Sequence, residues 1–459
     1  MCYLSTSDLN ENQQPVPLLP LSQQQFEAWK DQASPAHLKW VEGSGFTGAA
    51  GQSCALPGAN GSVEGWLLGV GQKGFLFSLS SHAGRLPKGA YHLECDWSAQ
   101  QRTQASLGWG LALYRFDRYK SHDHSSPLLV LEPDIESQVR SLYSAQCLVR
   151  DLVNTPTEHM GPSELADAVI RQGDAFGAQT RIITGDELLT ENFPAIHAVG
   201  RASTRAPRLI EMDWGEEEAP LLVLVGKGVC FDTGGLDLKT ATGMALMKKD
   251  MGGAAHALAL ARLVMENRLP VRVKLLISAV ENSVSGNAYR PGDIIATRKG
   301  LSVEIGNTDA EGRVVLSDAL ALACESEPDL VIDFATLTGA ARIALGADLM
   351  PVFSNRDEVA RGIQGAGEEM EDPIWTMPLF RPYIKLIESP IADLNNSGKS
   401  SYGGCITAAL FLEHFVEPEI PWVHIDTFAW NQSDRPGRPQ GGEALSLRAV
   451  YRYLQSRYG

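Results

Sequence analysis

Several familiar signatures are missing from this chain. Its seven cysteines, Cys2, Cys54, Cys95, Cys147, Cys230, Cys324 and Cys405, are odd in number and dispersed, with no CxxC pair or zinc-ribbon spacing. Such a pattern offers no disulfide framework or zinc-ribbon signal, and it fits a reducing compartment. No run of about 18 or more apolar residues occurs, and the opening MCYLSTSDLNENQQPVPLLPL has no basic start ahead of an apolar core. Neither a membrane span nor a secretory signal is therefore expected, and the sequence reads as a soluble cytoplasmic protein. Basic residues are also short, 39 against 55 acidic ones for a net charge of −16, so the long-range field repels polyanions and argues against nucleic acid. HExxH, GxSxG and Walker A patterns are absent.

What is present is length and alternation. A chain of 459 residues can bury two or three domain cores. Residues from Met1 to about Ser22 read as a polar, proline-bearing lead-in without fixed structure, although Val16–Leu21 could dock on a surface. Strands are predicted at Trp66–Gly69 and Gly74–Leu79, within a small α/β unit. Further on, Ile135, Val139, Leu142, Leu148 and Leu152 recur at helical spacing and Pro156 ends the run, which predicts a long connecting helix over about 133–155. Beyond Met160, apolar strand-like runs (Leu221–Val225, Val273–Val280, Asp329–Ala335, Trp422–Phe428) alternate with helical ones (Gly253–Leu269, Arg313–Glu327, Ile406–Val416). The expected fold class is α/β. A smaller N-terminal α/β domain over residues 1–140, taking in the start of the connecting helix, precedes a domain over 141–459 with a largely parallel central sheet flanked by helices. Ligand sites of such sheets gather at the carboxyl ends of the strands.

The chemistry concentrates between Gly226 and Gly339. GKGVCFDTGGLDLK follows a buried strand and sets Lys227, Asp232, Asp237 and Lys239 in a glycine-rich turn, where backbone and side chains can approach a ligand. Asp250 precedes one predicted helix, and Asp309 and Glu311 precede another. Taken singly, each carboxylate is read most simply as a helix cap favoured by the dipole. Taken together, Asp232, Asp250, Asp309 and Glu311 converge on one end of a sheet, and like charges buried side by side demand cations. Lys227, Lys239 and Arg313 could supply them as a salt-bridge network, or two divalent ions could do so as a catalyst. Spacing alone leaves both readings open.

The segments GKGVCFDTGG, LMKKDMGGAA, VENSVSGNAYRPGDI, NTDAEGRVVLSDAL and DFATLTGA, in this order, resemble the M17 leucyl aminopeptidase (cytosol aminopeptidase) family. NTDAEGR is that family's signature, and RDLVNTPTEHMGP at 150–162 resembles the start of its catalytic domain, so the likeness runs from about Arg150 to the end. It implies a metallo-aminopeptidase that releases N-terminal amino acids from peptides. Two divalent ions per subunit, Zn²⁺ or Mn²⁺ with Co²⁺ and Mg²⁺ as alternatives, would share Asp232 and Glu311. Asp309 would complete one shell through its side chain and backbone carbonyl, while Lys227, as a neutral amine, and Asp250 would hold the other ion. A shell of oxygens and one amine suits Zn²⁺, Mn²⁺ or Co²⁺ and not copper(I). The resemblance further implies that one ion binds the free α-amine, that the other polarises the scissile carbonyl with Lys239, and that a metal-bridging water attacks. Arg313 would anchor a bicarbonate ion acting as general base.

By the same likeness, Met247, Asn307, Thr336, Leu337 and Gly339 would line the S1 pocket and hold the peptide backbone, although a methionine such as Met247 is on general grounds a core filler. HIDTFAWN departs from the family's HLDIAG and brings Thr427, Phe428 and Asn431 into the S1 region, and RPGRPQGGEALSLR replaces the commoner GATGRP run, so a preference for leucine does not carry over. The family forms homohexamers of two stacked trimers around an interior chamber, with a variable N-terminal domain. Some members bind DNA in recombination and transcription control, which leaves a DNA-binding, regulatory or scaffolding role as the rival reading. GVGQKG at Gly69–Gly74 fits GxGxxG with Glu94 further on, but the strand expected after it is the wrong context for a dinucleotide. His122 and His124 are read as solvent-exposed loop residues, and His256 and His414 as packed within helices.

Overall fold

A computed structural model describes residues 2–9, 14–72, 74–121 and 126–459 and divides the chain into two units. Residues 1–147 with 432–440 form one, and 148–431 with 441–459 the other. His122 and His124 lie outside the described residues.

In the first unit six strands pair in the order Tyr3–Ser5, Leu128–Leu131, Ala90–Leu93, Val16–Leu21, Val63–Gly69, Ser53–Pro57. The segment expected to be an unstructured lead-in thus supplies two strands. Val16–Leu21 lies inside the sheet, parallel to both neighbours. Its two prolines, each lacking a ladder donor, obscure a period-two pattern in which Leu18 and Pro20 turn inward. Gly74–Leu79, expected to be a strand, instead turns and leads into the short helix Ser80–Ala83. Its buried residues Leu76 and Leu79 are three apart, the spacing of a turn and not of a pleat. The glycine-rich run at Gly69–Gly74 is therefore followed by turns and four residues of helix. The helix predicted to connect the halves forms over Pro133–Asn154.

The second unit is built on eight strands in the order Ile374–Thr376, Met350–Ser354, Trp422–Asp426, Leu330–Ala335, Leu221–Asp232, Arg272–Asn282, Arg208–Trp214, Gln179–Thr184. The middle four are parallel, and the antiparallel strands Met350–Ser354 and Arg208–Trp214 bound them, so the sheet is parallel at its centre and mixed at its margins. Leu330–Ala335 is buried along its whole length, as a strand covered on both faces must be. Along Leu221–Asp232, Val223 and Val225 pack with the helix Glu311–Cys324, while the alternate position Gly226 meets the helix Gly252–Glu266. Among the described residues no helix is long and apolar enough to cross a membrane.

Candidate active site

Close backbone packing assembles the site. A Cβ on Gly226 would lie 2.6 Å from Ala254 Cα, and one on Gly253 would lie 2.1 Å from the Phe334 carbonyl oxygen, so the start of the Gly252–Glu266 helix sits directly on the sheet. Asp250, in the 3-10 turn just before that helix, is thereby held against the end of the central strand. On the opposite face a Cβ on Gly312 would fall 2.6 Å from Lys227 Cε. Gly312 thus leaves the space that Lys227 occupies. At the strand's end Gly234 takes φ +89°, and a Cβ there would meet the Asp237 carbonyl oxygen at 2.5 Å; only glycine makes this turn without strain.

Two ammonium groups hold four carboxylates. Lys227 Nζ lies 2.7 Å from Asp250 Oδ2 and 2.8 Å from Glu311 Oε1, and donates to the Thr336 carbonyl at 3.0 Å. Lys239 Nζ lies 2.8 Å from Asp232 Oδ2 and also contacts Asp309 Oδ1. None of these carboxylates caps a helix: the N-cap positions Met251 and Ala310 carry no side-chain cap, and Glu311 is itself the first helical residue. Supporting donors fix them instead. Asp232 Oδ1 accepts from Gly234 N and Asn282 Nδ2, both at 2.8 Å, and Asp250 Oδ1 accepts from the Thr336 hydroxyl at 2.8 Å.

Balance within this cluster is incomplete. Four carboxylates face two ammonium groups, and Glu311 Oε2 is buried with no hydrogen-bond donor. One oxygen from each of Asp232, Asp309 and Glu311 fits within 4.8 Å of the others, a spacing suited to a shared cation. Burial, followed by the charge of Asp232, drives the Glu311 carboxyl well above the usual range and raises Asp309 too. Burial alone would depress the Lys227 ammonium, but Asp250, Glu311 and Asp232 outweigh it and hold the proton on. The same contest, with Asp232 and Asp309 opposing burial, raises Lys239. The residues fit divalent metal ions: oxygen donors in excess, one lysine in reach as an amine, and an orphaned carboxylate oxygen.

Beside the cluster opens a cavity of about 640 Å³. Asp232, Lys239, Asp250, Asp309 and Arg313 line it, with Lys227 and Glu311 buried behind them. All five residues expected at the substrate, Met247, Asn307, Thr336, Leu337 and Gly339, line it as well, and Met247 is half-buried at its wall. Thr427 and Phe428 also line it. Asn431 is buried in the short strand Trp430–Asn431. Arg313 donates from one Nη to the Asn396 carbonyl at 2.8 Å, its Nε is buried without an acceptor, and burial lowers the guanidinium to about 10 against the opposing charges of Glu311 and Asp426.

Several supporting residues had no distinct sequence signal. Asn396 accepts from Gly306 N and Asn307 N and donates to the Asn307 carbonyl, clamping the loop ahead of Asp309 from more than eighty residues away. Asp426 takes the Leu337 and Thr338 amides at 2.9 and 3.1 Å and so sets the cavity-lining loop. Asn282 stood within a segment that resembles the family, but nothing in its spacing marked it as the partner of Asp232. His256 is packed as expected, bonded to the Gly252 carbonyl and accepting from Leu445 N. His414 closes its helix on the Leu410 carbonyl.

Fold and cluster together are those of an α/β hydrolytic enzyme that works with metal ions. The family model described as "Cytosol aminopeptidase family, catalytic domain" matches residues 147–451, and that described as "M17 aminopeptidase, N-terminal domain" matches 16–132. The chain belongs to the M17 cytosol aminopeptidase family. It is similar to a crystal structure of cytosol aminopeptidase from Coxiella burnetii, with 48% identity, 100% of both chains covered and a TM-score of 0.96. A probable cytosol aminopeptidase of Syntrophotalea carbinolica is 42% identical over 364 residues, 75% of this chain and 73% of that one. The bottromycin maturation enzyme BotP, solved in complex with Mn, is 31% identical with a TM-score of 0.87, covering 97% of this chain and 99% of BotP. The protein is accordingly a peptidase of the M17 family, whose members are metal-dependent hydrolases acting at peptide N-termini.

Proposed function

We propose that this chain releases N-terminal residues from peptides at the cluster of Asp232, Asp250, Asp309 and Glu311. The observation that carries the reading is the buried, donorless Glu311 Oε2 within a set of four carboxylates and two ammonium groups. A cation bound there would supply the partner that this oxygen lacks in the salt-bridge network. Asp232, Asp309 and Glu311 would hold one divalent ion, and Asp232, Glu311, Asp250 and Lys227 a second, with Zn²⁺ or Mn²⁺ the ions best suited to these donors. Such ions supply Lewis acidity and an activated water at neutral pH.

The chain's own residues divide the remaining work. Lys239, the lysine of the two that lines the cavity, donates to the oxygen of the scissile carbonyl as negative charge develops on it. Arg313 lines the same cavity and carries a buried donor without an acceptor, which suits a small planar anion such as bicarbonate serving as general base. Thr336 and Asn282 keep Asp250 and Asp232 in place, and Asp426 fixes the loop of Leu337 and Thr338 against which the peptide backbone would lie.

The test is hydrolysis of aminoacyl-p-nitroanilides by protein stripped with chelator and then reconstituted with Mn²⁺ or Zn²⁺. Activity should vanish on stripping, return with metal, and be absent for N-acetylated substrates. Hydrolysis that needs neither metal nor a free α-amine would sink the mechanism.

A further inference from the structure

Lys249 is set apart from the two lysines of the cluster. It is only 6% exposed and lines the cavity, yet no carboxylate or carbonyl accepts from its Nζ among the described residues. Its one polar contact is the face of Phe428, 4.8 Å from Nζ to the ring centroid. Arg342 lies over the same ring at 5.0 Å and likewise lines the cavity, with no ion pair among the described residues. The nearby carboxylates are engaged elsewhere: Asp250 with Lys227 and Thr336, and Asp426 with the amides of Leu337 and Thr338 and the Thr338 hydroxyl.

A buried ammonium without a counter-charge is unfavourable, and a cation–π contact offsets only part of that cost. Natural sites keep such a cation where a ligand completes it. Lys249 shares the 3-10 turn Met247–Met251 with Met247 and with Asp250, so its head group opens beside the cluster and on the wall where the residue being released would sit. Phe428 lines this wall and carries both cations on its ring.

We infer that the wall formed by Lys249, Arg342 and Phe428 receives a carboxylate of the substrate, namely the side chain of an N-terminal glutamate or aspartate, so that the enzyme prefers acidic N-terminal residues to leucine. This rests on the aminopeptidase reading above and names the substrate class of that same site. The competing source of a carboxylate is the C-terminus of a dipeptide, and the measurement separates the two.

Metal-reconstituted protein is assayed on the p-nitroanilides of Glu, Asp, Leu and Lys, on Leu-Leu and Leu-leucinamide, and by calorimetric titration with L-glutamate and L-norleucine. Glu-p-nitroanilide carries no C-terminal carboxylate. Its kcat/KM is expected to exceed that of the Leu substrate by about tenfold or more, with L-glutamate binding more tightly than L-norleucine by a similar factor. Lys249→Met should lower the Glu-to-Leu ratio of kcat/KM by about tenfold or more, Arg342→Gln should lower it less, and Lys249→Arg should keep the ratio above one. Far-UV circular dichroism and metal content check that the variants are folded and loaded, and the Lys249→Arg ratio decides the matter if Lys249→Met does not fold. Hydrolysis with Leu preferred, or a ratio that Lys249→Met leaves unmoved, overturns this inference alone. A preference for Leu-Leu over Leu-leucinamide that disappears in Lys249→Met assigns the cations to the peptide's C-terminus and also overturns it. Failure to hydrolyse any of these substrates overturns the aminopeptidase reading with it.

Discussion

The charged cluster has two halves with the same composition, an ammonium between two carboxylates, in opposite surroundings. Lys227 and Glu311 are sealed between strand and helices with Asp250 beside them at the cavity's edge, and their position is dictated by glycines at 226, 253 and 312 that let backbone approach where a side chain would block it. Asp232 ends the central strand while Lys239 and Asp309 sit on loops, all three at the cavity wall, with Asp232 held by hydrogen bonds from Asn282 and Gly234. Packing fixes the first half and polar contacts fix the second. Under the proposed function carboxylates of both halves would hold ions, and the difference bears on the lysines: of Lys227 and Lys239 only Lys239 lines the cavity, where it would meet a peptide carbonyl.

The hardest blow to that comparison is steric. Gly312→Ala places a methyl group within 3 Å of Lys227 Cδ, Cε and Nζ, so the buried lysine head must shift away from Asp250 and Glu311 and the sealed half should lose its geometry. Activity is expected to fall by about a thousandfold or more and metal content, measured by mass spectrometry, to drop with it. If Gly312→Ala retains both, the close packing does not set the site. Next in size is Lys239→Ala, which should cut kcat by about a hundred- to a thousandfold while bound metal stays at the wild-type level. Loss of metal in that variant would mean that Lys239 supports the metal site and does not act on the substrate. Smaller still is Thr336→Val. It removes the hydroxyl that donates to Asp250 Oδ1, and metal affinity should weaken by about ten- to a hundredfold with kcat at saturating metal little changed.

How much of this was readable in advance follows the same division. The four carboxylates and two lysines could be singled out because they fall in the glycine-rich run after an apolar stretch or just ahead of a predicted helix; the strand in fact runs on to Asp232, so Lys227 lies within it and not in the turn expected after it. Their glycines were visible, but the contact that each relieves involves residues far away in sequence, so Gly312 could not be connected to Lys227. Asn396 and Asp426 act through backbone amides of distant loops, and a side chain that recognises backbone leaves no pattern in the sequence around its target. In the first unit the error ran the other way. Proline at 17 and 20 suppressed a strand that parallel neighbours on both sides hold in place, while aromatic and leucine residues at 75–79 suggested a strand where the spacing of Leu76 and Leu79 demands a turn. Tertiary pairing outweighs local propensity in both cases.

The finest test of the two halves is a proton count. In the metal-free protein Asp250, Glu311 and Asp232 hold the proton on Lys227 against burial, and burial with the Asp232 charge pushes the Glu311 carboxyl up. Ligation requires the neutral amine and the carboxylate, so metal entry must expel protons that the free site binds. Because the free state carries more protons than the loaded one, raising the pH favours loading. Apparent affinity should climb by about tenfold per pH unit for each proton released, over a range from about pH 6 to about pH 9. Lys239 is not a ligand in this scheme, so Lys239→Ala should leave the slope as it is, whereas Lys227→Met should lower it by about one proton and weaken binding throughout. Calorimetric titrations of Mn²⁺ in buffers of different ionisation enthalpy read the released protons directly. An affinity that does not change with pH, or a slope carried by Lys239 in place of Lys227, would reverse the roles assigned to the two lysines.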